Sequence, residues 1–217
     1  MKNKLYISSL IISCLIILGC DRQENMTDFD YGSIEKNIYT NTFFNMRMTL
    51  PEDWVVQSEQ ETEEIMEEGL KLVAGNDKNL ETVIKASEVN TANLFMLYQY
   101  ELGAAVDYNP SLMMVAENLR NAPGVKTGAD YLYHARKLLA RAQMQYDHID
   151  EEFEEVDING VPFHLMNTNI NYLGFDIKQK YYSTVLYGFS LNMIISYVDE
   201  EQKAELEESI HSLTFEL

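Results

Sequence analysis

Cysteine is nearly absent from this chain. Its 217 residues include two, Cys14 and Cys20, so everything beyond residue 20 lacks a thiol, a disulfide and a cysteine metal site. Stability there has to come from an apolar core. Basic residues are scarce too: 16 Lys and Arg stand against 35 Asp and Glu, a net charge of −19. A field of that sign repels nucleic acid and anionic lipid head groups. It argues against a nucleic-acid binder and against direct membrane docking by the folded part, and it leaves basic partners or cations. Solubility alone also accounts for such a charge. The 4 Pro and 10 Gly are scattered, and no linker, second domain boundary or internal repeat stands out. There is no Gly-x-Ser-x-Gly elbow and no Gly-rich phosphate loop. Neither His134 nor His211 has a second His or Cys three or four residues on.

The apolar content of 46% and aromatic content of 11% are those of a globular domain. The N-terminus is different. Lys2 and Lys4 precede an apolar run from Leu5 to Leu18, broken only by Ser8, Ser9, Ser13 and Cys14. A positive start, a short apolar core and a small exit residue mark a secretory signal, and the run falls short of the ~20 apolar residues that span a bilayer. It ends in Ile17-Leu18-Gly19-Cys20, which resembles the lipobox of bacterial lipoproteins. That resemblance implies a cut before Cys20 and a lipid on its thiol, each buried CH₂ adding ~0.8 kcal/mol of membrane affinity. An ordinary signal peptide explains the lysines and the apolar run equally well but leaves Gly19-Cys20 a coincidence. The expected organisation is a signal peptide over 1–19, a lipidated flexible tether over 20–37, and an α+β domain over 38–217. The 198 residues from Cys20 onward carry 14 bases against 35 acids, about −21, and suffice for one good-sized core.

Phe44, Met46, Met48 and Leu50 alternate with polar residues, the period of a half-buried strand, and Pro51 stops it. Trp54 is expected to pack back over a sheet edge or against a helix, as a structural residue. Residues 61–75 read as a helix with an apolar stripe of Ile65, Met66, Gly69, Leu72 and Val73 and acids crowding its first turns. Residues 91–101 read as a buried strand. Asn109-Pro110-Ser111 predicts a helix start broken at Pro123-Gly124. A long helix is predicted over 128–146, with Tyr131, Ala135, Leu138, Leu139 and Ala142 on one face. The period then becomes two: a hairpin around Asn159-Gly160, two strands broken near Tyr187-Gly188, a helix capped by Asp199 with Leu206 and Ile210 inward, and a short strand or tail. Clustered hairpins predict an α+β fold with an antiparallel β-sheet rather than a doubly wound one.

The order and spacing of "FNMRMTLPEDW", "INGVPFHLM", "QKYYSTVLYGFSLNMIISY" and "ESIHSLTF" resemble the PsbP-like proteins, which share a fold with the Mog-type Ran-binding proteins. The family's Pro-x-x-Trp turn is met at Pro51 to Trp54, and its Ser-Leu-x-Phe ending at Ser212, Leu213 and Phe215. The resemblance spans most of residues 38–217, with an extra-long helical region from Asn109 to Tyr146. It implies an antiparallel sheet flanked by helices on both faces, an α/β/α sandwich, and a binding or assembly role without a shared catalytic set. Fold alone does not set the activity.

The remaining chemistry is weak. His148 and Asp150, with Asp147, Glu151 and Glu152, could hold a cation through oxygen ligands, but the ordered spacing and Gly of a calcium loop are missing. Glu61, Glu63, Glu64, Glu67 and Glu68 read as a solvated helix face rather than paired acid–base carboxylates. The methionines, Met46, Met48, Met96, Met113, Met114, Met144, Met166 and Met193, read as plastic core packing. No catalytic, cofactor or metal residues are expected; Cys20 is the one site residue. The function expected is a lipid-anchored extracytoplasmic binding or assembly module of the bacterial cell envelope, without catalysis, touching the membrane through the Cys20 lipid only and engaging an envelope protein or small ligand. A carrier of a small apolar ligand, or an enzyme with a site assembled from distant residues, are the alternatives. Cys20→Ala should leave an unprocessed precursor or release the protein from membranes; unchanged processing and fractionation would refute the anchor.

Overall fold

The computed structural model describes residues 29–216. The signal segment 1–19, Cys20 and the tether up to residue 28 lie outside the described residues. In chain order the elements are β1 (Ser33–Glu35), β2 (Ile38–Asn41), β3 (Met46–Thr49), β4 (Val55–Val56), α1 (Glu59–Ala74), α2 (Lys78–Glu88), β5 (Thr91–Tyr98), β6 (Ser111–Asn118), α3 (Gly128–Leu139), β7 (His148–Ile149), β8 (Glu154–Ile158), β9 (Val161–Tyr172), β10 (Phe175–Leu186), β11 (Phe189–Tyr197), α4 (Glu200–Ser212) and β12 (Thr214–Phe215). They form a mixed α+β fold with two antiparallel sheets and, among the described residues, four helices. The large sheet runs β4-β5-β6-β11-β10-β9-β7, with β8 also on β9; the small one runs β1-β2-β3-β12.

Side chains alternate across the large sheet and build two cores. On one face Met96, Met113, Ile194, Tyr181 and Met166 meet α1, α2 and α3 through Ile65, Leu70, Leu80, Ile84, Leu132 and Leu138. On the other, Leu97, Met114, Met193 and Tyr182 meet Tyr39 and Met48 of the small sheet, Phe44 in its β2–β3 turn, and Leu206 and Ile210 of α4. The second face is therefore covered by a small sheet together with one helix, where helices alone were expected. Seven of the eight methionines read as core are buried; Met144 is partly so.

Three sequence readings need correction. Residues 109–119 are not a helix: Ser111–Asn118 is β6, between β5 and β11. Leu112 through Ala116 are 0% exposed, because a central strand is buried on both faces and loses the alternation that distinguishes it from a buried helix. Asn109 closes the preceding loop instead of capping a helix, its side chain donating to the Tyr100 carbonyl at 2.8 Å and accepting from the Tyr100 amide at 2.9 Å. The helix over 128–146 ends at Leu139; beyond it the Gln143 amide donates to the Val73 carbonyl at 2.7 Å, tying the chain to the end of α1. Residues 29–37, read as the end of a tether, are packed: β1 pairs with β2, and Phe29 stacks among Phe43, Phe44 and Phe189.

Other details carry through. Asn159 (φ 50°) and Gly160 (φ 90°) form the hairpin turn between β8 and β9, and the Asn159 amide side chain donates to the Leu213 carbonyl at 2.6 Å. Asp199 caps α4 by accepting from the Gln202 amide. Trp54 packs against α4, its indole N–H donating to Glu205 Oε1 at 2.9 Å. In the α1 stripe Leu70 is inward, while Leu72 is 45% exposed.

Gly128, the first residue of α3, lies directly on β10. A Cβ there would stand 1.9 Å from the Ser183 carbonyl oxygen, so α3 can sit this close only without a side chain. Gly128→Ala should push α3 off the sheet at ~1–3 kcal/mol or more, lowering Tm by roughly 5–10 °C. Gly124→Ala, with nothing within 4 Å, is the control and should leave Tm within about a degree.

Candidate functional site

The site follows from how short β4 is. Val55 and Val56 pair with Tyr98 and Leu97, and the Gln57 amide donates to the Met96 carbonyl at 2.9 Å. The chain then turns away into α1, whose start is fixed by a reciprocal cap between Ser58 and Glu61. Along Thr91–Phe95, β5 has β6 on one side and, among the described residues, no strand on the other. The register shifts between Asn93 and Phe95, a bulge of the kind that twists strands at sheet edges.

A cavity of about 700 Å³ lies over this edge. Its floor draws on both cores, with Leu70 and Met66 from the α1 side and Ala92, Leu94 and Phe95 from β5. Tyr31, which is 49% exposed, stands at one side. The rim is acidic: Glu59, Glu63 and Glu67 recur every fourth residue of α1, facing Lys85 and Glu88 of α2. α2 itself is placed by Asp77, which accepts from the Asn79 and Leu80 amides at 3.0 Å. Lys71 pairs with Glu67 at 2.9 Å and Lys85 with Glu81 at 2.8 Å; Glu59 and Glu63 have no ion pair among the described residues. The Asn93 Oδ1, in the wall, is buried without a hydrogen-bond donor among the described residues. Burial pushes the Glu88 carboxyl above its ordinary 4.5; Lys85 opposes this and the Glu67 charge adds to it.

Of the groove's ionisable groups, Glu67, Lys85 and Glu88 interact electrostatically with one another. The three α1 acids form a stripe, one per turn. Of the five acids singled out from sequence, Glu63 and Glu67 reach the groove, and Glu61, Glu64 and Glu68 do not. The loop acids around His148 act as a clasp. His148 Nε2 lies 2.8 Å from Asp150 Oδ1, Asp150 Oδ2 accepts from the Asn167 amide and side chain at 2.7 Å, and Asp147 accepts from the Asn171 amide. Together these hold β7 on β9. No group of three His, Asp or Glu able to share a metal ion occurs among the described residues, and no described helix is long and apolar enough to cross a membrane.

A second polar set lies under α3. Glu117 accepts from the Tyr131 hydroxyl at 3.1 Å, and Ser183 donates to Asn192 at 2.6 Å. His164 is nearby, its Nε2 3.8 Å from Glu155. The adjoining cavity is about 10 Å³, too small for a substrate, so this set specifies the core. His134 lies on α3 and His211 in the last turn of α4, both away from the groove.

Sequence reasoning missed Lys85, Glu88 and the open edge. Asp77 before the apolar pair Leu80 and Ile84 is the signal that could have revealed α2. The edge has no local signal, because it depends on which strand fails to arrive.

No protein-family model matches the chain, and no curated protein matches it. Among solved structures, it resembles a protein from Bacteroides thetaiotaomicron at 11% identity and a TM-score of 0.43, over 80% of this chain and 46% of that one. The chain thus spans less than half the length of that neighbour. It also resembles LpqN of Mycobacterium tuberculosis, a protein involved in cell envelope biogenesis, at 12% identity and a TM-score of 0.43, over 78% of this chain and 82% of LpqN.

Glu88 gives the site a stability signature. Its carboxyl is raised in the folded state, so its ionisation opposes folding above the folded pKa, and this penalty disappears as pH falls below 4.5, where both states are protonated. Glu88→Gln should therefore raise Tm slightly at pH 7, with the gain gone by pH 4. A loss of stability at pH 7 would contradict this electrostatic picture of the groove.

Proposed function

We propose that this chain is a lipid-anchored binding module of the bacterial cell envelope, held through Cys20, which engages its partner through the groove at the open edge of β5 and performs no catalysis. The observation that carries the reading is the groove itself: a strand edge unpaired among the described residues, over an apolar floor, with acids spaced along a rim. Binding surfaces need such an extended frame, whereas catalysis needs groups aimed at one atom. The domain is read as PsbP-like, supported by the sequence resemblance and by helices against both faces of the large sheet. The lipid on Cys20 is its sole membrane contact, and the net charge of −19 disfavours nucleic acid as a partner. A protein partner is preferred to a small apolar ligand because the groove is rimmed by acids, whereas an apolar ligand calls for an enclosed apolar pocket.

Photo-crosslinkers placed at Glu63 and Lys85 in the native cells should give a discrete adduct at the membrane, and one at Glu208 on α4 should not. Absence of adducts from both groove positions, or equal adducts from Glu208, would defeat this reading.

A further inference from the structure

The groove's chemistry also specifies what enters it, an argument that rests on the proposed binding role. We infer that the partner presents an extended, cationic peptide segment that adds as a strand beside β5, with basic residues at alternate positions facing α1 and apolar residues between them. In line with β4, which pairs as far as Val56 opposite Leu97, no strand among the described residues lies beside Thr91–Phe95 on the side away from β6. Five residues of strand span ~17 Å at 3.3 Å each, and peptides commonly bind by completing a sheet edge in this way.

The charge pattern fits the same occupant. Glu59, Glu63 and Glu67 line the groove together with Thr91 through Phe95, so the acid stripe and the strand edge run along one cavity. Residues four apart on a helix are ~6 Å apart along its axis, and alternate side chains of a strand are ~6.6 Å apart. Lys or Arg at every second position of an added strand therefore keeps step with these acids. The side chains between them face Tyr31 and Phe95 on the opposite side of the edge. Asn93 Oδ1, buried and without a donor among the described residues, gives an arriving donor a second anchor. Glu88 is raised by burial, and a cation in the groove offsets that penalty. The chain's own segment 21–28 carries Asp21, Glu24 and Asp28 against Arg22, the wrong sign for this rim.

The test is titration of the full chain with three eight-residue peptides: alternating Lys and Val, alternating Glu and Val, and the Lys-Val peptide N-methylated at alternate amides. The first should bind at least tenfold more tightly than either of the others, weaken with salt, and lose at least tenfold on Glu63→Lys, a position without an ion pair among the described residues, at unchanged Tm. Equal binding of the N-methylated peptide would overturn strand addition, and equal binding of the Glu-Val peptide would overturn the charge argument. If no peptide binds while Glu63 still crosslinks to a partner in cells, this inference fails and the binding-module reading stands. Crosslinks from Glu63 to a second copy of the chain would replace the peptide with self-association.

Discussion

A strand edge must be paired, covered or left to water, and much of this molecule follows from how its large sheet meets that requirement. Inside the sheet, β6 and β11 have strands on both sides and cores on both faces, so Met113 opposite Ile194 and Met114 opposite Met193 are sealed from solvent. At the β5 edge the requirement is met only in part. β4 supplies two residues and the Gln57 amide before turning into α1. Proteins usually blunt an open edge with charge. Here the charges stand on α1 and α2, set back from the strand across a cavity of about 700 Å³. Acids placed there repel an acidic strand, and the proposed basic segment is the occupant they favour.

The same placement accounts for the electrostatics. Most of the acids are exposed and solvated, as expected for a chain of net charge −19. Glu88 differs, held above its ordinary value by burial beside the groove. Groups kept in unfavourable settings tend to mark functional sites, and this one lies where the edge is open. Elsewhere some buried polar groups are matched to neighbours, as with Glu117 and Tyr131 or Ser183 and Asn192, while Ser111, Tyr146, His164 and Asn169 each keep one buried side-chain atom without a hydrogen bond among the described residues. The bond from Tyr131 to Glu117 ties α3 to β6, with Gly128 providing the close approach to β10.

Much of the fold was legible wherever the signal was local. Asn159-Gly160 set its hairpin because both residues tolerate positive φ, Asp199 set the start of α4, and the alternation from Phe44 to Leu50 set β3. The reading failed where meaning depends on distant neighbours. Leu112–Ala116 carry an unbroken apolar run that a helix and a doubly buried strand share, and only the arrival of β5 and β11 on either side decides between them. The site was less legible still. Glu63 and Glu67 were recognised as an exposed face, which they are, but what they face is set by α2 and by the early end of β4. Cys20 is the reverse case: its expected role rests on Ile17-Leu18-Gly19-Cys20 and the signal segment before it, and it lies outside the described part of the structure.

The account depends most on the outer edge of β5 being free in the isolated protein. Amide hydrogen exchange of the full chain tests this residue by residue. The amides of Thr91–Phe95 that point away from β6 should exchange at least roughly a hundredfold faster than those of Leu112–Ala116 in β6. Equal, strong protection along both strands would mean that the edge is already paired or covered, and it would contradict the claim that this groove is where the protein binds.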